Sequence, residues 1–260
     1  MKLKLNQILV AALVAASAVP AMASIALPNT GNGELFLVVW DEGDKVSYVK
    51  DLGIFQDNFN GNANLSYSLS DANFAGFLGV ANTTATDIKF AVMAGDSAAG
   101  LGVRRLFSTV DSVVTPFNNT QLTNSTSFLN TFGNNQVTVS ANTTHAGPAS
   151  VNGTSYDVSP NTAYFNAQNG PTFQNNFQGG FTNSVLVGTA AVFRSFSGIG
   201  TAGGVQTVKS DFAGVWNVTQ NSGAWTAAYS VAAVPEAEGI VMALAGFGAV
   251  GFLSLRRRLG

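Results

Sequence analysis

The chain has no cysteine and a single histidine, His145. The first absence excludes disulfide staples, thiolate metal sites, thiol nucleophiles and iron–sulfur chemistry, so stability must come from core packing and sheet hydrogen bonds. The second leaves nothing for histidine-based metal or triad chemistry beyond one residue in Asn142-Thr-Thr-His-Ala-Gly-Pro148, which composition marks as a surface loop. Neither a Gly-x-Ser-x-Gly elbow nor a His-Glu-x-x-His pair is present. Charge is scarce too, with 10% of residues charged. Between Ser24 and Val234 there are seven basic side chains against twelve acidic ones, a net charge of −5. That balance argues against nucleic acid or an anionic lipid surface as a partner. Solubility falls instead to Asn, Gln, Ser and Thr. No cofactor is implied by any motif.

What is present is organised at the two ends. At the front, Lys2 and Lys4 precede an apolar run from Ile8 to Val19 and the small-x-small site Ala21-Met22-Ala23. This is the three-part pattern of a secretory signal peptide, with cleavage expected between Ala23 and Ser24. At the back, Pro235-Glu236-Ala237-Glu238 is followed by Ile240 to Leu255 without a charge, then by Arg256, Arg257 and Arg258. As a helix the uncharged run spans about 24 Å, short of a hydrocarbon core of about 30 Å but within reach of a thin or locally thinned bilayer. The arginines act as a stop-transfer signal that holds that end in the cytoplasm.

The order of Pro-Glu signature, apolar helix and arginine cluster resembles the PEP-CTERM sorting tail of Gram-negative bacteria that make exopolysaccharide. The resemblance covers about the last tenth of the chain, and Ala237 stands where the family most often has proline. It implies that an exosortase-type processing enzyme recognises Pro235, Glu236 and Ala237, and that the inner membrane holds the chain as a transient or retained anchor. The expected destination is the cell surface or beyond, with exopolysaccharide or a second copy of the chain as partner. Such tails carry unrelated cargoes, so this one gives a destination and not a chemistry.

The body, about 210 residues once both ends are set aside, reads as one large β domain or two small ones. Glu34-Leu-Phe-Leu-Val-Val-Trp40 is apolar on both faces, as a buried central strand is. Asp41-Glu-Gly-Asp44 then turns the chain into a second strand, Val46 to Leu52. Leu65 to Leu69 alternates with period two. Ser70-Asp71 predicts a helix start before Phe74, Phe77 and Leu78, with Gly76 and Gly79 keeping that helix short. Strands are expected at Asp87–Met93, Arg104–Val110, Ser184–Arg194 and, weakly, Val205–Val208. Phe212–Thr219 and Ala224–Val231 read as a hairpin about Asn221-Ser-Gly223. Between Thr115 and Asn183 the texture is Asn, Thr, Ser, Gln and Gly with scattered phenylalanines. That stretch reads as long loops pinned by Phe117, Phe128, Phe132, Phe165, Phe173, Phe177 and Phe181, with a short strand at Gln136–Ser140 and a helical piece at Leu122–Leu129.

Together these point to an all-β antiparallel sandwich or jelly roll with almost no helix. The acidic turn Asp41, Glu42 and Asp44 is a weak calcium candidate. Asp57-Asn-Phe-Asn-Gly61 superficially resembles a calcium loop, but Phe59 stands where an oxygen ligand is required. Two readings follow: a non-catalytic exported surface or matrix protein, or a secreted carbohydrate-active enzyme or calcium-dependent sugar-binding module, which would need paired carboxylates or an oxygen cage.

Overall fold

A computed structural model describes residues 25–81, 87–97, 100–113, 116–138, 153–165 and 180–232. The signal-peptide residues Ala21, Ala23 and Ser24, His145, and the whole tail with Pro235, Glu236, Ala237, Arg256, Arg257 and Arg258 lie outside them. Among the described residues no helix is long and apolar enough to cross a membrane.

The described chain is mostly antiparallel β, as expected, and ten of its described strands form one curled sheet, a half-barrel. β1 (Glu34–Asp41) sits inside it, between β2 (Val46–Phe55) and β4 (Lys89–Asp96). All eight residues of β1 are buried, because both faces of the sheet are covered there. On the far side of β4 come β5 (Arg105–Val110), β10 (Ala191–Ser197), β11 (Val208–Asn221) and β12 (Ala224–Val231), with β3 (Leu65–Ser68) at that edge. β7 (Thr154–Val158) closes the other edge beside β2. The first two residues of β4 pair instead with the two-residue β9 (Val185–Leu186). A small separate ribbon joins β6 (Ser112–Val113) to β8 (Phe181–Thr182).

Among the described residues two helices cover the sheet, which is more helix than the sequence suggested. The first, α1 (Ala72–Val80), starts as expected: the Asp71 carboxylate accepts from the backbone amides of Asn73 and Phe74. Gly76 lets the helix approach the sheet, since a Cβ there would lie 2.6 Å from the Tyr156 ring. The second, α2 (Asn119–Thr138), overturns two expectations. Gln136-Val-Thr138 is the last turn of this helix rather than a strand, and the helical piece at Leu122–Leu129 is only its middle. Leu122, Ser125, Thr126, Leu129, Phe132 and Gln136 are all buried, a stripe at helical spacing. Three of those positions are polar, which disguised the period. Thr126 donates to the carbonyl of Leu122, while Gln136 donates to the Ala163 carbonyl and accepts from the Ser155 hydroxyl. The start of α2 is a reciprocal cap: the Asn118 side chain accepts from the Gln121 amide, and the Gln121 side chain accepts from the Asn118 amide.

Strand alternation sorts the core into two layers. Phe36, Val38 and Trp40 face α2 with Phe128, Phe132 and Phe165; the Trp40 and Phe165 rings are 4.8 Å apart. On the opposite face Tyr48 meets Phe74 of α1, and farther along Phe59 gathers Phe107, Phe193, Phe212 and Tyr229. Phe59 therefore occupies its loop as a core residue. Phe117 and Phe181 also pin the polar segment, as the sequence suggested, stacking with Phe196. The expected strand at Ser184–Arg194 is broken by a turn in which Gly188 adopts φ 86°. The terminal hairpin matches expectation: Ser222 and Gly223 both have positive φ, the signature of a type I′ turn.

Candidate functional site

The acidic turn that joins β1 to β2 is occupied with its own folding. Asp41 is 1% exposed and its Oδ1 accepts the Asp44 amide at 3.0 Å, which closes the turn. Glu42 reaches away to the Lys89 ammonium at 3.1 Å. Among the described residues no three metal-ligating side chains converge, Asp41, Glu42 and Asp44 included. The residues are adjacent in sequence but point to different partners.

Other acids are also held by the fold. Asp71 caps α1 and takes the Tyr48 hydroxyl at 2.7 Å. Burial, with the Asp71 charge beside it, pushes the Tyr48 phenol far above its ordinary range. Asp96 pairs with Arg105 at 3.0 Å, and Asp57 holds the same guanidinium at 2.6 Å. Arg194 clasps Asp211 across β10 and β11, and that bond holds the Asp211 carboxyl below its usual value.

Glu34 and Asp51 form a buried pair of carboxyls, with no ion pair to either among the described residues. They flank the β-bulge where Phe36 pairs with Asp51 and two residues of β2 lie outside the register. Each is 8% exposed. The Glu34 carboxylate accepts the Ala26 amide at 2.8 Å. Asp51 Oδ1 accepts the Gly53 amide at 2.7 Å, while Oδ2 is buried without a partner among the described residues. Burial raises both carboxyls above the usual range, and the Asp51 charge raises Glu34 further; the bound amides and the neighbouring Lys50 oppose this. Tyr67, near enough to feel Asp51, is pushed up to about 12, chiefly by burial. No local sequence pattern marks this pair, since the bulge that brings it together is a property of the register.

Two concave places stand out among the described residues. The larger, about 310 Å³, opens where β4 changes partner from β5 to β9. Lys89, Asp111, Thr182, Ser184, Leu186 and Thr189 line it. Its walls are tied by the Asp111 amide to the Thr182 carbonyl at 2.9 Å and the Thr109 hydroxyl to the Asn183 carbonyl at 3.0 Å. The smaller, about 200 Å³, lies between α1 and the β11–β12 turn, beside Ser70, Asp71, Phe74 and Trp225. There Ser68 bonds Ser70 and both Asp71 oxygens are engaged, so its polar lining is turned inward on the fold.

Known proteins offer no guide to either. The chain matches no family model, no curated protein and no solved structure. Function must be read from the residues alone.

Proposed function

We propose that this chain is an exported, non-catalytic cell-surface or matrix protein with a β-sandwich-like body, sorted through the envelope by an exosortase-type enzyme and associated with exopolysaccharide, biofilm or floc. The observation that carries the reading is the pairing of two sequence signals. An export signal ends at Ala23, and a Pro235-Glu236 signature, uncharged run and Arg256-Arg257-Arg258 cluster follow the last strand. The body fits that role in its chemistry. Its aromatic core needs no staple in an oxidising compartment, and Asp41, Asp71, Asp96 and Asp211 serve caps, turns and strand clasps.

Cell fractionation of the wild type against a chain lacking residues 234–260 tests the reading. The wild type is expected at the surface or in the medium, with the truncated chain redistributed. A cytoplasmic wild type, or the same location for both chains, would count against it.

A second reading, a secreted carbohydrate-active enzyme, is favoured by one observation, the buried Glu34–Asp51 pair with both carboxyls raised. Glycoside hydrolysis uses two carboxyls in different protonation states. Hydrolysis of a polysaccharide that Glu34→Gln and Asp51→Asn each abolish would move the assignment there.

A further inference from the structure

Among the described residues, the cleft beside β9 has two exposed polar side chains that the rest of the fold does not use. Asp111 is exposed and its carboxylate makes no ion pair or hydrogen bond among the described residues, and the Thr189 hydroxyl is likewise unengaged there. Thr182 and the buried Ser184 also line the walls, but both have partners within the fold. Leu186 is 45% exposed and offers an apolar surface beside them. Lys89 stands at the cleft, but Glu42 matches its charge at 3.1 Å. The balance is one unmatched carboxylate, one unengaged hydroxyl and one apolar platform.

We infer that this cleft binds a neutral polyhydroxylated chain, a glycan without carboxylate or sulfate groups. A charged acceptor such as Asp111 takes sugar hydroxyl protons in bonds stronger than a neutral pair makes. Hydroxyl side chains both donate and accept, as a ring of alcohols requires. Leu186 covers the C–H face of a ring. Among the described lining residues an acidic glycan meets Asp111 with no unmatched cation to offset it, on a body of net charge −5. The volume of about 310 Å³ stands at the low end of ligand sites, about 300–1,000 Å³. That suits one or two sugar units of a longer polymer that runs on over the surface.

This inference deepens the matrix reading and rests on it for its biological sense, but its test is separate. The purified full chain is titrated by calorimetry with a neutral glucan, a neutral galactan and a neutral mannan, and with polygalacturonate. The variants are Asp111→Ala, Thr189→Val and, as a control on the far edge strand, Ser66→Ala. At least one neutral polymer is expected to bind at least tenfold more tightly than polygalacturonate. Asp111→Ala should weaken that binding at least tenfold and Thr189→Val severalfold, with melting temperatures and the Ser66→Ala affinity unchanged. Because Asp111 and Thr189 are exposed, loss of folding is not expected to confuse the result. Failure of all three neutral polymers to bind, equal binding by Asp111→Ala, or a preference for polygalacturonate would overturn the inference. None of these outcomes bears on where cells put the protein, which fractionation decides.

Discussion

Replacing Phe59 by alanine is the most demanding test of how this body holds together without cysteine. Its ring lies 4.9 Å from that of Phe212, 5.2 Å from Phe193 and Tyr229, and 6.5 Å from Phe107. One residue from a connecting segment thus joins β5, β10, β11 and β12 from one face. Deleting a buried phenylalanine side chain costs about 3–5 kcal/mol, through lost transfer energy and the cavity left behind. Three of the four contacts lie within the favoured range and are edge-on, each worth about 0.5–1.5 kcal/mol beyond burial. The upper half of the range is therefore expected, a large share of a total stability of about 5–15 kcal/mol. For a body of this size the melting temperature should fall by roughly 8–20 °C, at about 2–4 °C per kcal/mol. Thermal melts followed by far- and near-ultraviolet circular dichroism give both the shift and the loss of aromatic signal. Phe59→Leu keeps apolar volume without a ring and should fall between wild type and Phe59→Ala. A loss below about 1 kcal/mol for Phe59→Ala, the size of an average substitution, would refute the placement of Phe59 at the centre of this cluster.

Three further outcomes follow from the buried polar groups. Asp51→Asn keeps the acceptor for Gly53 but removes a buried charge. The folded-state carboxyl is raised, so its penalty is full above the folded pKa and disappears as pH falls towards the ordinary carboxylate value of about 4. Urea titrations should show the variant about 1 kcal/mol more stable at pH 7, with the difference closing by about pH 4; a difference independent of pH would contradict the burial of that charge. Gln136→Ala strands the Ala163 carbonyl and the Ser155 hydroxyl, at a cost of about 1–3 kcal/mol in the same assay. Asn118→Ala removes the cap of α2 and should cost about 1 kcal/mol, with Asp in its place restoring most of it. Faster hydrogen exchange confined to the first turn of α2 would locate that loss.

The parts of the fold that could be read from sequence are those where local chemistry and burial agree. β1 announces itself because every residue from Leu35 to Trp40 is apolar and every one is buried. The hairpin of β11 and β12 carries its turn in Ser222 and Gly223, and α1 carries its cap in Asp71. The long helix α2 was hidden for a physical reason. Its inward stripe uses Ser125, Thr126 and Gln136, and two of these meet identified partners inside the structure, so hydrophobic periodicity understates it. A signal was nevertheless there: Asn118-Asn-Thr-Gln121 has the spacing of a capping box with asparagine in the first place. The candidate sites are a different matter. The cleft joins Lys89, Asp111 and residues 182–189, and the Glu34–Asp51 pair depends on a bulge. Both arise from long-range register, which no local pattern encodes. Conversely, the acidic turn was visible in sequence because its residues are consecutive, yet Asp41 and Glu42 diverge to the Asp44 amide and Lys89.

The proposal that the tail delivers this body outward is tested most directly by intact-mass and terminal-peptide mass spectrometry of the protein recovered from its own cells. The account predicts a chain that begins at Ser24 and ends within a few residues of Pro235. A chain that still begins at Met1 and carries Arg256, Arg257 and Arg258 through to Gly260 would contradict both export at the front and sorting at the back.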